Sequence, residues 1–323
     1  MNGSSSRATF PSGIESLYEP PDTTVDIVFV HGTTAGRDTT WTNQDASEPW
    51  PKTLLPSKFP TARILAFGYD AYVDDKQKAV LQGIIHDHSW KLLEELSLFR
   101  QNDRTDEKPI IFVCHGLGGL ICKQALYTSF SNTKQQCLYS VFCSTRGIAF
   151  IDTPLHGDNV ASLAEITTQS IGLDKQEDSD IVNNFKCGFK YVLAQNINDF
   201  KTMHEVRTAR QLPPIKVVCF YAELPVEGFG FVVTRDSATL RGCTSIGIRK
   251  DHMDMTKFAT MDDSGFIAVC ESLGRWINEV DAKGPSADYE LLNPARQQYN
   301  HFGKGEQKIF GGSCYETNGH QTF

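Results

Sequence analysis

The stretch KPIIFVCHGLGGLICKQAL, residues 108–126, limits the fold more than any other part of this 323-residue chain. Residues 110–113 are an uninterrupted apolar run that reads as a buried strand, 114–118 are a tight turn, and a helix pattern opens at Gly119 and Leu120. A strand that feeds a helix through a turn of small residues is the arrangement that holds a nucleophile on a strained backbone elbow. Cys114, Gly116, Gly118 and Gly119 keep this turn small. Its tip, however, is Gly116, which has no side-chain atom with which to attack a substrate. Glycine also adopts a positive φ without steric cost, so it relieves the strain that serine would carry there.

The rest of the chain supplies the setting for such an elbow. VDIVFVHG, ARILAFGYD, RGIAFIDTP, PPIKVVCFY and CTSIGIR are apolar runs bounded by turn residues, which suits strands buried on both faces. Between them, 80–100 reads as a helix with Leu92, Leu93, Leu96 and Phe99 on one face, 50–55 as a short helix, and DDSGFIAVCESLGRWINEV as a closing helix. Strands alternating with helices predict an α/β fold with a mostly parallel central sheet covered on both faces. The expected organisation is a lead-in segment over 1–23, one α/β domain over 24–282 with a helical cap at 158–210, a linker at 283–298 and a tail at 299–323.

Several function classes fall away. A net charge of -8 without a Lys/Arg block argues against nucleic-acid binding. HGLGG and VHGTTAG lack the spacing of phosphate-binding loops. His86 and His88, two apart on a helix, do not face one another, so neither a metal nor a cofactor is expected. Nine cysteines without paired metal spacing suit a reducing compartment. The first residues have no apolar signal core and no apolar run reaches 18 residues, so the expected location is the cytoplasm, with any membrane contact peripheral.

Acyl-transfer chemistry needs three groups: a nucleophile, a histidine to take its proton and a carboxylate to orient the histidine. His252 is the histidine that falls between the last strand and the closing helix, which is where the base is expected. The acid is sought after the late strand 215–221, where Ala222 is followed by Glu223; Asp236 and Asp251 are further candidates that chain order alone does not separate. The backbone amides of Thr33 and Leu117 are the expected oxyanion donors, and His31 is read as a support of its loop.

These segments resemble a family of lipase or esterase-like domains with the α/β-hydrolase fold. Members occur in fungal proteins of the NOD-like receptor system and among relatives of phospholipid-remodelling and GPI-inositol-deacylase proteins. Where the family carries CHSLGG, this chain reads CHGLGG, so Gly116 stands where the family has serine. GIAFIDTPLHG is similar to the family's Thr-Pro-His-Arg-Gly strand end, with Thr153, Pro154 and Gly157 matching and Leu155 and His156 departing. DHMDMTKF is similar to the segment that carries the catalytic histidine, which implies that role for His252. The family's Phe-Tyr-Glu is here Phe220-Tyr221-Ala222, so the resemblance implies that the acid is lost unless Glu223 serves. With about 10–280 covered, two outcomes are implied: a degenerate hydrolase that binds or signals, or a serine lipase or esterase in a Ser-to-Gly form.

The tail, from Tyr299 to Phe323, contains an Asn-x-x-Gly-x-Gly-x-Gln unit and a looser echo of it. Composition alone suits a disordered segment. The unit resembles amyloid signalling motifs shared by fungal NOD-like receptors and their effectors, which implies a receptor partner and self-assembly through the tail; the hydrolase-like domain implies a lipid or acyl-ester ligand. Charged Lys304, Glu306 and Lys308 oppose stacking of identical strands unless they lie outside the ladder.

Overall fold

The computed structural model describes residues 11–33, 35–70, 81–157, 160–170 and 179–281. A seven-stranded sheet runs through them in the order β1 (Gly13–Tyr18), β3 (Ala62–Gly68), β2 (Val25–Val30), β4 (Ile110–His115), β5 (Thr145–Ile151), β6 (Lys216–Ala222) and β7 (Thr244–Ile248). All neighbours are parallel except β1, which pairs antiparallel with β3 at the edge. The expected lead-in segment therefore contains a strand. GIESLY alternates only weakly and is half-buried, which is why its sequence does not stand out.

The central strands are buried on both faces, as continuous apolar runs require. On one face Ile27, Phe29, Ile64, Val113, Ile151 and Phe220 form a core with Trp50 of helix α1 (Trp50–Thr53), Leu55 of α2 (Leu55–Lys58) and Phe266, Leu273 and Ile277 of α8 (Ser264–Asp281). On the other face α3 (Leu81–Asn102), α4 (Leu117–Ser131), α5 (Gln136–Ser144) and α7 (Ser179–Ala209) pack against one another. Within the region expected to be a cap, α6 (Ala161–Ser170) and α7 are helical, and α7 packs on α3, α4 and α6. Residues 158–159 and 171–178 of that region, and the expected linker and tail at 283–323, lie outside the described residues.

At the end of the sheet opposite the elbow, a buried charge cluster ties α3 to the strands. Asp26 at the start of β2 accepts hydrogen bonds from Arg63 Nε (2.8 Å) and Nη2 (3.1 Å) and is paired with Arg100 of α3. Arg63 also reaches Asp103 and the Thr105 hydroxyl, both at 2.7 Å, and Arg100 reaches the carbonyls of Asp106 and Lys108. All three charged side chains are 0–1% exposed, so the cluster is stable only as a complete set. Asp26→Ala, which leaves two buried guanidinium groups without their shared anion, is expected to destabilise the fold by about 3–5 kcal/mol in urea unfolding. Glu15→Ala, which removes an exposed partner of Arg37, is expected to cost less than about 1 kcal/mol.

Candidate active site

β4 delivers the chain to the elbow. Gly116 has φ 52° and ψ -124° and stands immediately before the first turn of α4, which fixes the nucleophile-elbow shape in the backbone itself. Its amide donates to the Ile151 carbonyl of β5 at 3.0 Å, locking the turn to the neighbouring strand. The glycines that follow are demanded by close packing. A Cβ on Gly118 would stand 2.3 Å from the His31 carbonyl oxygen, and one on Gly119 would stand 2.3 Å from Thr153 Oγ1. Helix α4 thus abuts the ends of both flanking strands, as the small residues in the turn suggest.

His252 arrives from the loop after β7 and meets the elbow directly. A Cβ on Gly116 would lie 3.3 Å from its Cε1 and 3.4 Å from its Nε2. On the other side of the ring, Nδ1 lies 2.7 Å from Asp152 Oδ2. Asp152 follows β5 directly, is fully buried and holds a φ of 44°, a conformation that costs a non-glycine residue energy and persists only where its surroundings fix it. Those surroundings are clear: its amide donates to the Phe220 carbonyl at 2.7 Å, and its Oδ1 accepts the Ala222 amide at 3.1 Å. A carboxylate is acceptor-only, so His252 Nδ1 carries the proton, and Nε2, the acceptor nitrogen of the ring, faces Gly116.

The carboxylate opposite His252 is therefore Asp152, not a residue after β6. Ala222 contributes only its backbone amide to Asp152. Glu223 is exposed, with its side chain against Gly247. Asp236 is exposed, and Asp251 spends its Oδ1 on the amides of Met253 and Asp254. In the sequence Asp152 shows only as a carboxylate directly after the apolar run GIAFI, and that run does not say which strand it lies beside. A search that follows chain order past the late strand steps over it.

Of the expected oxyanion donors, Leu117 follows the elbow tip directly. Leu117 N opens α4, where helix amides point outward and favour negative charge, and it lies 3.7 Å from a Cβ position on Gly32. Gly32 Cα in turn lies 3.9 Å from the Cβ position on Gly116, with Thr33 the next residue.

Two further histidines shape this corner. His31 Nε2 accepts the Tyr69 amide (3.1 Å), so its proton sits on Nδ1 and is donated to the Gly32 carbonyl (2.6 Å). The ring stacks on Tyr69, whose hydroxyl donates to the His31 carbonyl at 2.9 Å. His31 therefore supports its loop rather than reacting, and burial lowers its pKa to about 4. His115 donates from Nε2 to the His252 carbonyl at 2.9 Å, which positions the backbone of His252. Its Nδ1 is buried without a partner among the described residues and lies 3.2 Å from a Cβ position on Gly32, and burial holds its pKa well below the ordinary value. Among the described residues, no group of three or more His, Cys, Asp or Glu is placed to hold a metal ion. No described helix is long and apolar enough to cross a membrane.

Comparison with known proteins bears on the fold. No family model matches the chain. The chain is 29% identical over 153 residues to protein SERAC1 of Homo sapiens and 29% identical over 152 residues to that of Danio rerio. These matches cover 42% of this chain, which spans only 22% of the length of either relative. Among solved structures, the lipase BlEst2 of Bacillus licheniformis aligns over 82% of this chain and 99% of its own, with a TM-score of 0.50 and 16% identity. The chain has the α/β-hydrolase fold, shared with lipases and esterases.

Neutral burial of these rings makes the fold acid-sensitive. The unfolded chain takes up a proton on each histidine below about pH 6.5, whereas folded His31 does so only near pH 4. Stability is thus expected to fall as pH drops from about 6.5 to about 4, by on the order of 3 kcal/mol from His31 alone, with His115 acting in the same direction. Urea midpoints recorded between pH 7 and 4.5 check this, and a flat profile contradicts it.

Proposed function

We propose that this chain is an effector-type protein that binds acyl esters in a hydrolase site whose acyl-enzyme chemistry has been lost at Gly116. One observation carries the reading: the elbow backbone, the His252 base and the Asp152 carboxylate stand together, and the attacking hydroxyl alone has no counterpart. A serine hydrolase works by covalent attack of that oxygen, so the family's covalent step is closed while a place for an acyl carbonyl beside the Thr33 and Leu117 amides remains. The signalling half of the proposal, a cytoplasmic fungal immunity or cell-death role with a NOD-like receptor as partner and assembly through 299–323, is supported by the sequence resemblance of that segment.

A second reading is favoured by the completeness of the Asp152–His252 pair: the chain is a serine lipase or esterase in a Ser-to-Gly form. Both readings predict that restoring the nucleophile restores covalent chemistry. Gly116→Ser requires His252 to yield by a few tenths of an ångström and places serine at a positive φ, a cost of about 1–3 kcal/mol in stability. In return the serine variant is expected to be labelled by a fluorophosphonate and to cleave p-nitrophenyl esters about 10³-fold faster than the unmodified chain. Adding Asp152→Asn to it is expected to remove most of that gain, and adding Glu223→Gln to change it by less than about twofold. The natural coding sequence separates the two readings, since a serine codon at 116 supports the second. Labelling of the unmodified protein overturns the loss of acyl-enzyme chemistry.

A further inference from the structure

We propose that the cleft between the segment joining β2 to α1 and the segment joining β7 to α8 binds a sugar phosphate, with Arg249 as the principal contact of the phosphate group. The site goes beyond the reading above: none of Gly116, Asp152 and His252 lines it, and it needs no chemistry at the elbow. Its volume is about 530 Å³, within the range of about 300–1,000 Å³ of small-molecule sites and more than a bare phosphate fills. One wall comes from residues within 39–46 and the other from residues within 249–257, and Leu224 adds an apolar patch. Buried hydrogen bonds tie the two segments together. The Thr256 hydroxyl donates to the Thr40 carbonyl at 2.7 Å, and Trp50 Nε1 donates to the Thr256 carbonyl at 2.8 Å. The cleft is therefore formed before any ligand arrives.

The cations on its walls are not equivalent. Lys250 Nζ is committed to Asp263 Oδ2 at 2.8 Å and to the Lys257 carbonyl at 2.9 Å. Lys257 pairs with Asp254 at 2.9 Å, a partly solvated contact of the kind that holds weakly. Arg249 is exposed and has no ion pair or side-chain hydrogen bond among the described residues, so its guanidinium stands uncommitted at the cleft wall. A guanidinium binds phosphate through two parallel charge-assisted bonds. Local charge favours an anion here: 235–257 carries five Lys or Arg against three Asp, in a chain of net charge -8. The rest of the lining selects what carries the phosphate. Asp251 spends Oδ1 on the amides of Met253 and Asp254 and keeps Oδ2 without a partner among the described residues. Asn43 and Gln44 offer amide groups from the other segment. Donors and acceptors interleaved in this way suit hydroxyl groups, which give and receive hydrogen bonds together. No aromatic side chain lines the cleft, so a nucleobase finds no ring to stack on. A sugar phosphate matches the charge, the hydroxyl partners and the volume.

Calorimetric titration of the full chain with glucose-6-phosphate, inorganic phosphate and glucose tests the site. Saturable binding of glucose-6-phosphate is expected, about tenfold or more tighter than that of either part alone. Arg249→Ala is expected to weaken it about tenfold or more, the loss of a charge-assisted bond, and Gln44→Ala about threefold. Arg235→Ala, which removes an exposed arginine outside the cleft, is expected to leave it unchanged. All three side chains are exposed, so these variants are expected to fold. A phosphorylated sugar on a lipid head group carries the same chemistry, so phosphatidylcholine vesicles with and without phosphatidylinositol phosphate form a second arm. Binding of the soluble compound assigns a free ligand, and vesicle recruitment that Arg249→Ala abolishes assigns a head group. The proposal is overturned by no saturable binding in either arm, or by binding that Arg249→Ala leaves intact. Equal affinity for inorganic phosphate and glucose-6-phosphate overturns it, since the cleft then selects no sugar. An equal loss in Arg235→Ala overturns it as well, since bulk charge then accounts for the binding.

Discussion

A single buried carboxylate joins the elements that make this site. Asp152 follows β5 directly, binds the Phe220 carbonyl through its amide, accepts the Ala222 amide at Oδ1 and holds His252 Nδ1 at Oδ2. Those bonds fix two neighbouring strand ends and the loop after β7 relative to one another. A buried carboxylate without partners is costly, so each donor that satisfies it also stabilises the local fold. The positive φ of Asp152 is held by the same set of bonds. The geometry of the candidate site and its structural support are here one network, which holds the pair in place whatever stands at the elbow tip.

The elbow shows the complementary effect. Serine at a positive φ stores strain that function repays, and glycine at the same φ stores almost none. Gly116 therefore keeps the turn while relaxing it. The packing that forces the turn comes from elsewhere, from Gly118 and Gly119 admitting the backbone of β2 and the Thr153 side chain. The shape of the turn is in this way set by its neighbours rather than by the residue at its tip.

Much of this was legible in the sequence because the central strands are buried on both faces and read as unbroken apolar runs. VDIVFV, ARILAFG and IIFVCH correspond to β2, β3 and β4. His252 was legible because few histidines lie late in the chain. Less visible were β1, an edge strand with one partner and weak alternation, and α5, whose QCLYSVFCS pattern merges into the strand that follows it. Asp152 was missed for a different reason. Its role is set by proximity across the sheet, one strand over from the elbow, and linear order carries no trace of that. The histidine tautomers are of the same kind: they depend on Tyr69, Gly32 and the His252 carbonyl, which are distant in sequence or unremarkable in composition.

The pairing of Asp152 with His252 is the claim on which the account turns, and nitrogen-15 NMR of the histidine rings in the unmodified protein tests it most directly. The account predicts that at neutral pH His252 carries its proton on Nδ1, hydrogen-bonded and slow to exchange. Asp152→Asn is predicted to shift that signal strongly, and Glu223→Gln to leave it unchanged. A proton on Nε2, or a signal that follows Glu223 rather than Asp152, would contradict the account.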